Sequence, residues 1–301
     1  MSLLNKFIFG SLGTIIGGNV VVSIIENDWR NCDTVVEAPV NTVGIIIPTF
    51  NEEMFIERMM LSIKNQSIVE KYPDSFEYIL IDSGSTDNTV DLARLFMKTN
   101  VDKIVHLVEN SYSYENLAKK VKSDRIVITN KKGKLTARNM ATDIAKSNII
   151  VSVDADCIYP YHFLNTLLKP FKDETTVAVD GSTIDYTIPK IPGQLYTLMF
   201  WFEHNYRNVY RLHGRHCAYL KSAFNQIGKF DESINQLNVY EMVREEEVRF
   251  GNKMKTIGKV VWKQNAYCEH LGGLKMSCRG KGLNKGSLEC KNSGVGIERF
   301  G

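Results

Sequence analysis

The chain has 301 residues, and its 37 lysines and arginines nearly balance its 34 aspartates and glutamates, which leaves a formal net charge of +3. This balance excludes a polybasic arm for nucleic acid as the main feature, and we expect no nucleic-acid partner. With 44% hydrophobic residues and only 7 prolines, the composition is that of a globular chain rather than a disordered or collagenous one. The six cysteines are scattered and form no CxxC pair, which indicates a reducing compartment.

The first 41 residues contain a hydrophobic segment, residues 7–25, in which all nineteen positions are uncharged. About 20 apolar residues are needed to cross a bilayer, so the length permits a membrane anchor or an interfacial segment. The alternative is an amphipathic helix that packs on a soluble domain. A cleaved signal peptide fits poorly, because Lys6 is the only charged side chain before the segment and no small-residue cleavage site follows it. We expect membrane association, with the rest of the chain in the cytoplasm.

From residue 42 onward, apolar runs of strand length alternate with segments of helical period, which predicts βα units around a mostly parallel sheet. In the first half, strands are predicted over 43–48, 78–82, 103–108, 125–129 and 148–153, and helices from residue 51, over 89–97 and over 133–146. In the second half, helices are predicted over 161–171 and 243–257, and strands over 177–188 and 259–263. We interpret the second half as an elaboration of the same sheet. One domain, residues 42–270, would then be followed by a basic, glycine-rich tail, residues 271–301.

Two aspartates, Asp154 and Asp156, come directly after the predicted central strand 148–153. Open α/β sheets bind ligands at the carboxyl ends of their strands. Carboxylate oxygens favour Mg²⁺ or Mn²⁺, and these ions take their remaining ligands from water and substrate phosphates. Taken alone, however, a DxD pattern is better explained as a solvated loop.

The surrounding patterns distinguish these two readings. In chain order they are IIIPTFNEE at 45–53, IDSGSTDNT at 81–89, ARN at 137–139, VDAD at 153–156, Gly214, IGKFDE at 227–232, and EEE at 245–247 followed by Gly258. In order and spacing, residues 42–270 resemble the family 2 glycosyltransferases with the GT-A fold. The resemblance implies an α/β fold with a Rossmann-like, mostly parallel central sheet flanked by helices, and an acceptor-side second half.

The resemblance also implies where the donor binds. Pro48, Phe50 and Glu52 would line the nucleoside pocket at the end of the first strand. Asp82 would accept a hydrogen bond from the base. Arg138 would approach the diphosphate, since a guanidinium offers bidentate donors to phosphate oxygens.

A metal ion, Mn²⁺ or Mg²⁺, is implied at the DxD pattern. Asp154 would face the ribose and contribute to the metal site, and Asp156 would ligate the ion that bridges the two phosphates. His270 stands where the family often has a histidine near the metal or the diphosphate, although a surface histidine is an equal alternative.

The acidic triplet is expected to supply the catalytic base. Counting back from Gly258 assigns Glu246 and Glu247 to the family's Glu-Asp pair, so Glu247 is the predicted base and Glu246 the alternative. The family usually has aspartate at this position, and Glu245 leaves the register open by one residue.

The function implied is the inverting transfer of a single sugar from a UDP- or GDP-sugar to a lipid-linked or glycan acceptor. A Q-x-x-R-W element of processive synthases is missing, which favours one transfer over polymerisation. Two alternatives remain: a nucleotidyltransferase with the same kind of sheet and carboxylate-held metal, and a non-catalytic protein that binds sugar nucleotides or glycans. Neither G-x-G-x-x-G nor a P-loop pattern occurs, which disfavours dinucleotide oxidoreductases and P-loop NTPases.

Overall fold

Nine β-strands form one sheet in the computed structural model, which describes residues 35–97, 104–107, 124–185, 209–236 and 239–271. In chain order the strands are β1 (Val43–Thr49), β2 (Phe76–Asp82), β3 (Ile104–Leu107), β4 (Arg125–Thr129), β5 (Ile149–Val153), β6 (Cys157–Ile158), β7 (Thr176–Asp185), β8 (His216–Leu220) and β9 (Lys259–His270). Their spatial order is β3-β4-β2-β1-β5-β8-β7-β9-β6. The strands from β3 to β5 pair in parallel, whereas β8 is antiparallel to both β5 and β7.

Seven α-helices accompany the sheet in the described ranges. They are α1 (Ile56–Lys64), α2 (Ser67–Lys71), α3 (Thr89–Phe96), α4 (Lys134–Ile144), α5 (Phe163–Leu168), α6 (Lys221–Ile227) and α7 (Val239–Lys255). Short 3₁₀ helices cover Pro73–Ser75, Lys169–Lys172 and Glu232–Gln236. Most of these helices follow a strand directly, as the alternation of apolar runs and helical periods predicts.

The helices cover both faces of the sheet. Side chains alternate along β1, so Ile45 and Ile47 enter one hydrophobic core while Ile46 enters the other. The first core is completed by α1, α2 and α5, and the second by α4, α6 and the last turns of α7. All the side chains of β1, except that of Pro48, are buried, as expected for a strand covered on both faces.

The parallel strands end side by side. Thr49 at the end of β1 is paired with Asp82 at the end of β2, and Ile46 is paired with Ser152 near the end of β5. The loops that follow these strands therefore lie at one edge of the sheet, where residues 50–53, 83–88 and 154–156 meet.

The predicted elements are largely confirmed, with several differences. The first helix begins at Ile56 instead of residue 51, and β9 continues to His270 instead of ending at residue 263. The short strands β6 and β8 and the helices α2 and α6 were not predicted. The hydrophobic segment 7–25 and the tail from residue 272 lie outside the described residues. Within the described ranges, helices with the length and apolarity to cross a bilayer are absent.

Candidate active site

A cleft of about 750 Å³ opens at the carboxyl edge of the parallel strands. Its walls come from three loops, those after β1, β4 and β5, together with Ser83 after β2. The lining residues are Pro48, Thr49, Phe50, Asn51, Glu52, Ser83, Lys132, Gly133, Lys134, Ala137, Asp154, Ala155 and Asp156. This is the position at which open α/β sheets bind their ligands.

The loops after β1 and β2 are joined by hydrogen bonds. The backbone N–H of Asn51 donates to Ser85 Oγ at 2.8 Å, and the N–H of Glu52 donates to Thr89 Oγ1 at 2.7 Å. Asn51 has a positive φ of 55°, a conformation that asparagine tolerates better than most residues. The loop can thereby turn sharply and leave the ring of Phe50 45% exposed at the cleft.

Asp82 is 1% exposed and organises the turn after β2. Its carboxylate accepts hydrogen bonds from the backbone N–H groups of Gly84 and Ser85, at 3.1 and 2.9 Å, and from the hydroxyl of Ser85. The resemblance implied that Asp82 binds the base of the donor. The structure gives its carboxylate these internal partners, and the described lining of the cleft includes its neighbour Ser83 but not Asp82. The contact with the base stays a prediction.

Asp154 lies at the floor of the cleft, is 7% exposed, and forms ion pairs with two basic side chains. Lys134 Nζ is 2.7 Å from Oδ2, and Arg138 Nη2 is 3.1 Å from Oδ1. Burial opposes ionisation of this carboxyl, but Lys134, Arg138 and Arg215 outweigh burial and hold its pKa well below the usual range. Asp154 is therefore a fixed negative charge that anchors basic side chains.

Arg138 is buried beneath the cleft rather than exposed to it. Its side chain is 1% exposed and bridges Asp154 and Glu246, and its guanidinium lies against Gly214. A Cβ atom at position 214 would lie 1.9 Å from Arg138 Cζ, so only glycine leaves room there. Burial alone would lower the pKa of Arg138, but Glu246 and Asp154 raise it. The resemblance implied a contact with the diphosphate, which stays a prediction; the structure describes these two internal ion pairs.

Asp156 faces the cleft and has His270 as its neighbour. Its Oδ2 is 3.3 Å from His270 Nε2, and the two side chains are 24% and 19% exposed. The strands explain this proximity, because Cys157 of β6 is paired with His270 of β9. Burial would raise the pKa of Asp156, but the hydrogen bond with His270 and the charges of His270 and Lys134 together lower it. Asp156 thus presents a partly exposed carboxylate at the lining of the cleft, the ligand type that hard divalent ions prefer, with His270 beside it.

Glu247 lies in a buried polar cluster beyond Asp154. Its Oε2 is 3.3 Å from His213 Nε2, and His213 Nδ1 is 2.7 Å from Asp180 Oδ2. Burial raises the pKa of Glu247, and His213 and Arg215 only partly offset this effect. Burial would lower the pKa of His213, but Glu247 and Asp180 raise it. The predicted bases Glu246 and Glu247 are thus both buried, and Glu246 is the partner of Arg138.

A second histidine completes this cluster. His216 is 1% exposed, its Nδ1 is 3.3 Å from Asp180 Oδ1, and burial lowers its pKa to about 4. In the described part of the chain, Asp180, His213 and His216 are the group of three side chains that could hold a metal ion, with their ligand atoms within 4.8 Å of one another. The sequence analysis did not identify this group, which is built from two strands more than thirty residues apart.

The basic side chains of the cleft were also not predicted from the sequence. Lys132 and Lys134 line it, and Lys132 Nζ lies 5.5 Å from the centre of the Phe50 ring. The available signal was the KKGK pattern at residues 131–134, immediately before a predicted helix, since cations at a helix N-terminus favour binding of an anion. Of the predicted donor and metal residues, Pro48, Phe50, Glu52, Asp154 and Asp156 line the cleft.

An open α/β sheet with carboxylates at its carboxyl edge defines a class of nucleotide-binding enzymes. Comparison with known protein families identifies the family to which this chain belongs. The model of glycosyl transferase family 2 matches residues 44–228, more than half of the chain. The chain belongs to this family.

Curated relatives are similar over about half of the chain. The chain is 26% identical over 148 residues to glycosyltransferase AglE of Haloferax volcanii, covering 49% of this chain and 40% of AglE. It is 24% identical over 145 residues to glycosyltransferase GlyG of Streptococcus pneumoniae, covering 48% and 40%. It is 29% identical over 140 residues to the hyaluronan synthase of Streptococcus pyogenes, covering 46% and 29%. The chain thus matches less than half the length of each of these relatives.

Solved structures share the fold. A mannosyltransferase of Pyrobaculum calidifontis, in complex with GDP-Man and Mn²⁺, superposes with a TM-score of 0.55 at 19% identity, covering 84% of this chain and 64% of that one. Residues 1–349 of Staphylococcus aureus TarS in complex with UDP-GlcNAc superpose with a TM-score of 0.52 at 18% identity, covering 84% and 62%. The fold is therefore the GT-A fold, as the resemblance implied.

Proposed function

We propose that this glycosyltransferase is metal-dependent and inverting, and that it transfers a single sugar from a UDP- or GDP-sugar to a lipid-linked or glycan acceptor. The observation that carries the proposal is the cleft itself, which combines Asp154 and Asp156 with two lysines and an exposed aromatic ring. A carboxylate, a cation and a stacking surface are the three partners that a metal-bound nucleoside diphosphate requires.

The donor is assigned to the wall formed by the loops after β1 and β4. Phe50 offers a face to the base, with Pro48 and Glu52 beside it. Lys132 and Lys134 precede or open α4, and its N-terminal N–H groups add further attraction for phosphate. Arg138 and Asp82 take positioning roles: Arg138 holds Asp154, and Asp82 holds the turn that carries Ser83.

The metal is assigned to Asp156 and His270. The related mannosyltransferase complex with Mn²⁺ supports a metal in this fold. Asp154 already binds Lys134 and Arg138 through its two oxygens, so the remaining ligands are water and donor phosphates. When bound, Mn²⁺ or Mg²⁺ supplies Lewis acidity that offsets the charge developing on the leaving nucleoside diphosphate.

Glu247 is assigned the role of general base. Its raised pKa favours proton uptake from an attacking hydroxyl, and His213 orients its carboxylate. One-step attack from the face opposite the leaving group inverts the anomeric carbon. If the acceptor is a lipid phosphate, it is already an anion, and Glu247 then orients it instead of removing a proton.

The direct test is release of nucleoside diphosphate from a panel of UDP- and GDP-sugars, with Mn²⁺ and then with EDTA. We expect release from one donor, abolished by EDTA and accelerated by lipid phosphate or glycan acceptors. Pyrophosphate in place of nucleoside diphosphate would identify a nucleotidyltransferase. Donor binding without release, with every acceptor supplied, would identify a binding protein.

A further inference from the structure

We propose that Asp180, His213 and His216 form a second metal site, distinct from Asp156 and His270, for one first-row transition-metal ion such as Zn²⁺. The three ligand atoms lie within 4.8 Å of one another. Asp180 lies on β7 and His216 on β8, and His213 lies just before β8. Asp180 of β7 is paired with Cys217 of β8, and His216 is the first residue of β8. Two imidazoles and one carboxylate favour a transition metal over Mg²⁺ or Ca²⁺, which prefer oxygen ligands.

Hydrogen bonds alone leave one buried nitrogen of this cluster, His216 Nδ1, without a partner among the described residues. His213 is satisfied, because Nδ1 donates to Asp180 Oδ2 and Nε2 faces Glu247. Asp180 Oδ1 accepts the backbone N–H of His213 at 2.9 Å. His216 Nδ1 is buried and has no hydrogen-bond partner among the described residues, although Asp180 Oδ1 is 3.3 Å away. Such an orphaned atom destabilises the fold, and a cation between the two side chains would remove this cost.

The spacing fits two ligands of one ion. Zinc bonds of about 2.0–2.2 Å at the tetrahedral angle separate neighbouring ligand atoms by roughly 3.4 Å. The separation of His216 Nδ1 and Asp180 Oδ1 is 3.3 Å. The contact between His213 Nδ1 and Asp180 Oδ2 is shorter, 2.7 Å, because it is a hydrogen bond. Coordination replaces the proton on His213 Nδ1, which leaves to solvent.

Glu247 contacts the other ring nitrogen of His213. A metal-bound histidine commonly donates its other ring N–H to a carboxylate, which fixes the ring. His213 Nε2 lies 3.3 Å from Glu247 Oε2, in the position this pattern requires. The charges of Asp180 and Glu247 together balance a divalent ion. Metal in this site would therefore hold the proposed base in one orientation through His213.

The test measures metal on the full chain without any transferase assay, so it stands whether or not the proposed function holds. Purified protein is stripped with a chelator, loaded with Zn²⁺, desalted and analysed for metal, and affinity is measured by competition with a chromophoric chelator. We expect one zinc per chain, at least tenfold weaker binding in Asp180→Asn and His216→Gln, and weaker binding by about tenfold or more in Glu247→Gln.

Two variants serve as matched controls. His162→Gln changes a histidine that pairs with Ser67 elsewhere, and Asp156→Asn removes the proposed donor metal, so both should retain the zinc. Wild type that takes up no zinc, or unchanged affinity in both Asp180→Asn and His216→Gln, would overturn the proposal in favour of a proton-only cluster. If the ligand variants fail to fold, Co²⁺-loaded protein decides: visible bands of a four- or five-coordinate ion, present also in Asp156→Asn, support the site, and an octahedral spectrum refutes it.

Discussion

Asp156 is the side chain whose removal tests the donor metal with least effect on the fold. It lies at the cleft wall and is 24% exposed, so asparagine fits in its place without burying an unpaired charge. We expect Asp156→Asn to lower metal-dependent release of nucleoside diphosphate by about a hundredfold, since a Lewis acid contributes several kcal/mol. Asp173→Asn, an exposed carboxylate that pairs with Lys259, is the control. Equal rates in the two variants would remove Asp156 from the metal site.

Arg138 has the opposite character, because it supports the fold from beneath the cleft. Replacing it with methionine leaves the buried Glu246 without its ion pair and Asp154 with only Lys134 of its two ion pairs. Breaking a buried ion pair in this way costs about 3–5 kcal/mol, and urea unfolding should report the loss. Adding Glu246→Gln to Arg138→Met should recover part of the loss. Arg94→Met, which removes an exposed pair with Asp91, should cost about 0–1 kcal/mol; similar losses for the two arginines would contradict the buried triad.

At the scale of elements, the N-terminal turn of α4 should control donor affinity. Lys134 is 36% exposed and stands between Asp154 and the cleft. We expect Lys134→Gln to weaken binding of the donor by about tenfold, because one charge-assisted contact with phosphate is lost. Lys131→Gln changes an exposed lysine that the lining of the cleft does not include. Titration calorimetry with UDP and GDP should separate the two variants, and the idea fails if Lys131→Gln weakens binding as much.

Sequence pattern predicted the elements that are buried on both faces. β1 and β4 were found because they are continuous β-branched runs, and α1 because Ile56, Met59, Met60 and Ile63 share one face. β8 was missed because it is short and begins with His216 and Cys217, which are polar or weakly apolar. Its sequence does not alternate between polar and apolar residues. β9 was cut short because its second half is only partly buried and therefore reads as polar.

The site was predictable where its residues are close in sequence. Asp154 and Asp156 stand together after β5, and Phe50 follows β1, so the sequence indicated that all three lie at the edge of the sheet where the cleft opens. Their roles stay predictions. The implied approach of Arg138 to the diphosphate stays a prediction. That its guanidinium is buried could not be read from the sequence, because only the packing against Gly214 and the ion pair with Glu246 reveal it. Pairing between distant strands likewise joined Asp180 to the turn before β8, which no local pattern indicates.

At the scale of the whole molecule, association with membranes stays a prediction about residues 7–25. Deleting residues 1–26 should move the protein from the membrane pellet to the supernatant, because the only long uncharged segment is removed. Release of nucleoside diphosphate should survive, since β1 begins at Val43. A chain without residues 272–301 is the control and should stay in the pellet. Full-length protein that remains in the supernatant without detergent would exclude the anchor.

The triad of Asp154, Arg138 and Glu246 can form only late in synthesis of the chain. Glu246 lies 108 residues after Arg138 in the chain. At 5–20 residues per second, the ribosome needs roughly 5–20 s to deliver it. During that interval the nascent chain contains Arg138 and Asp154 but not Glu246, so the guanidinium cannot be buried with both of its carboxylate partners. The ion pair between Arg138 and Glu246 thus forms only after α7 has emerged and docked.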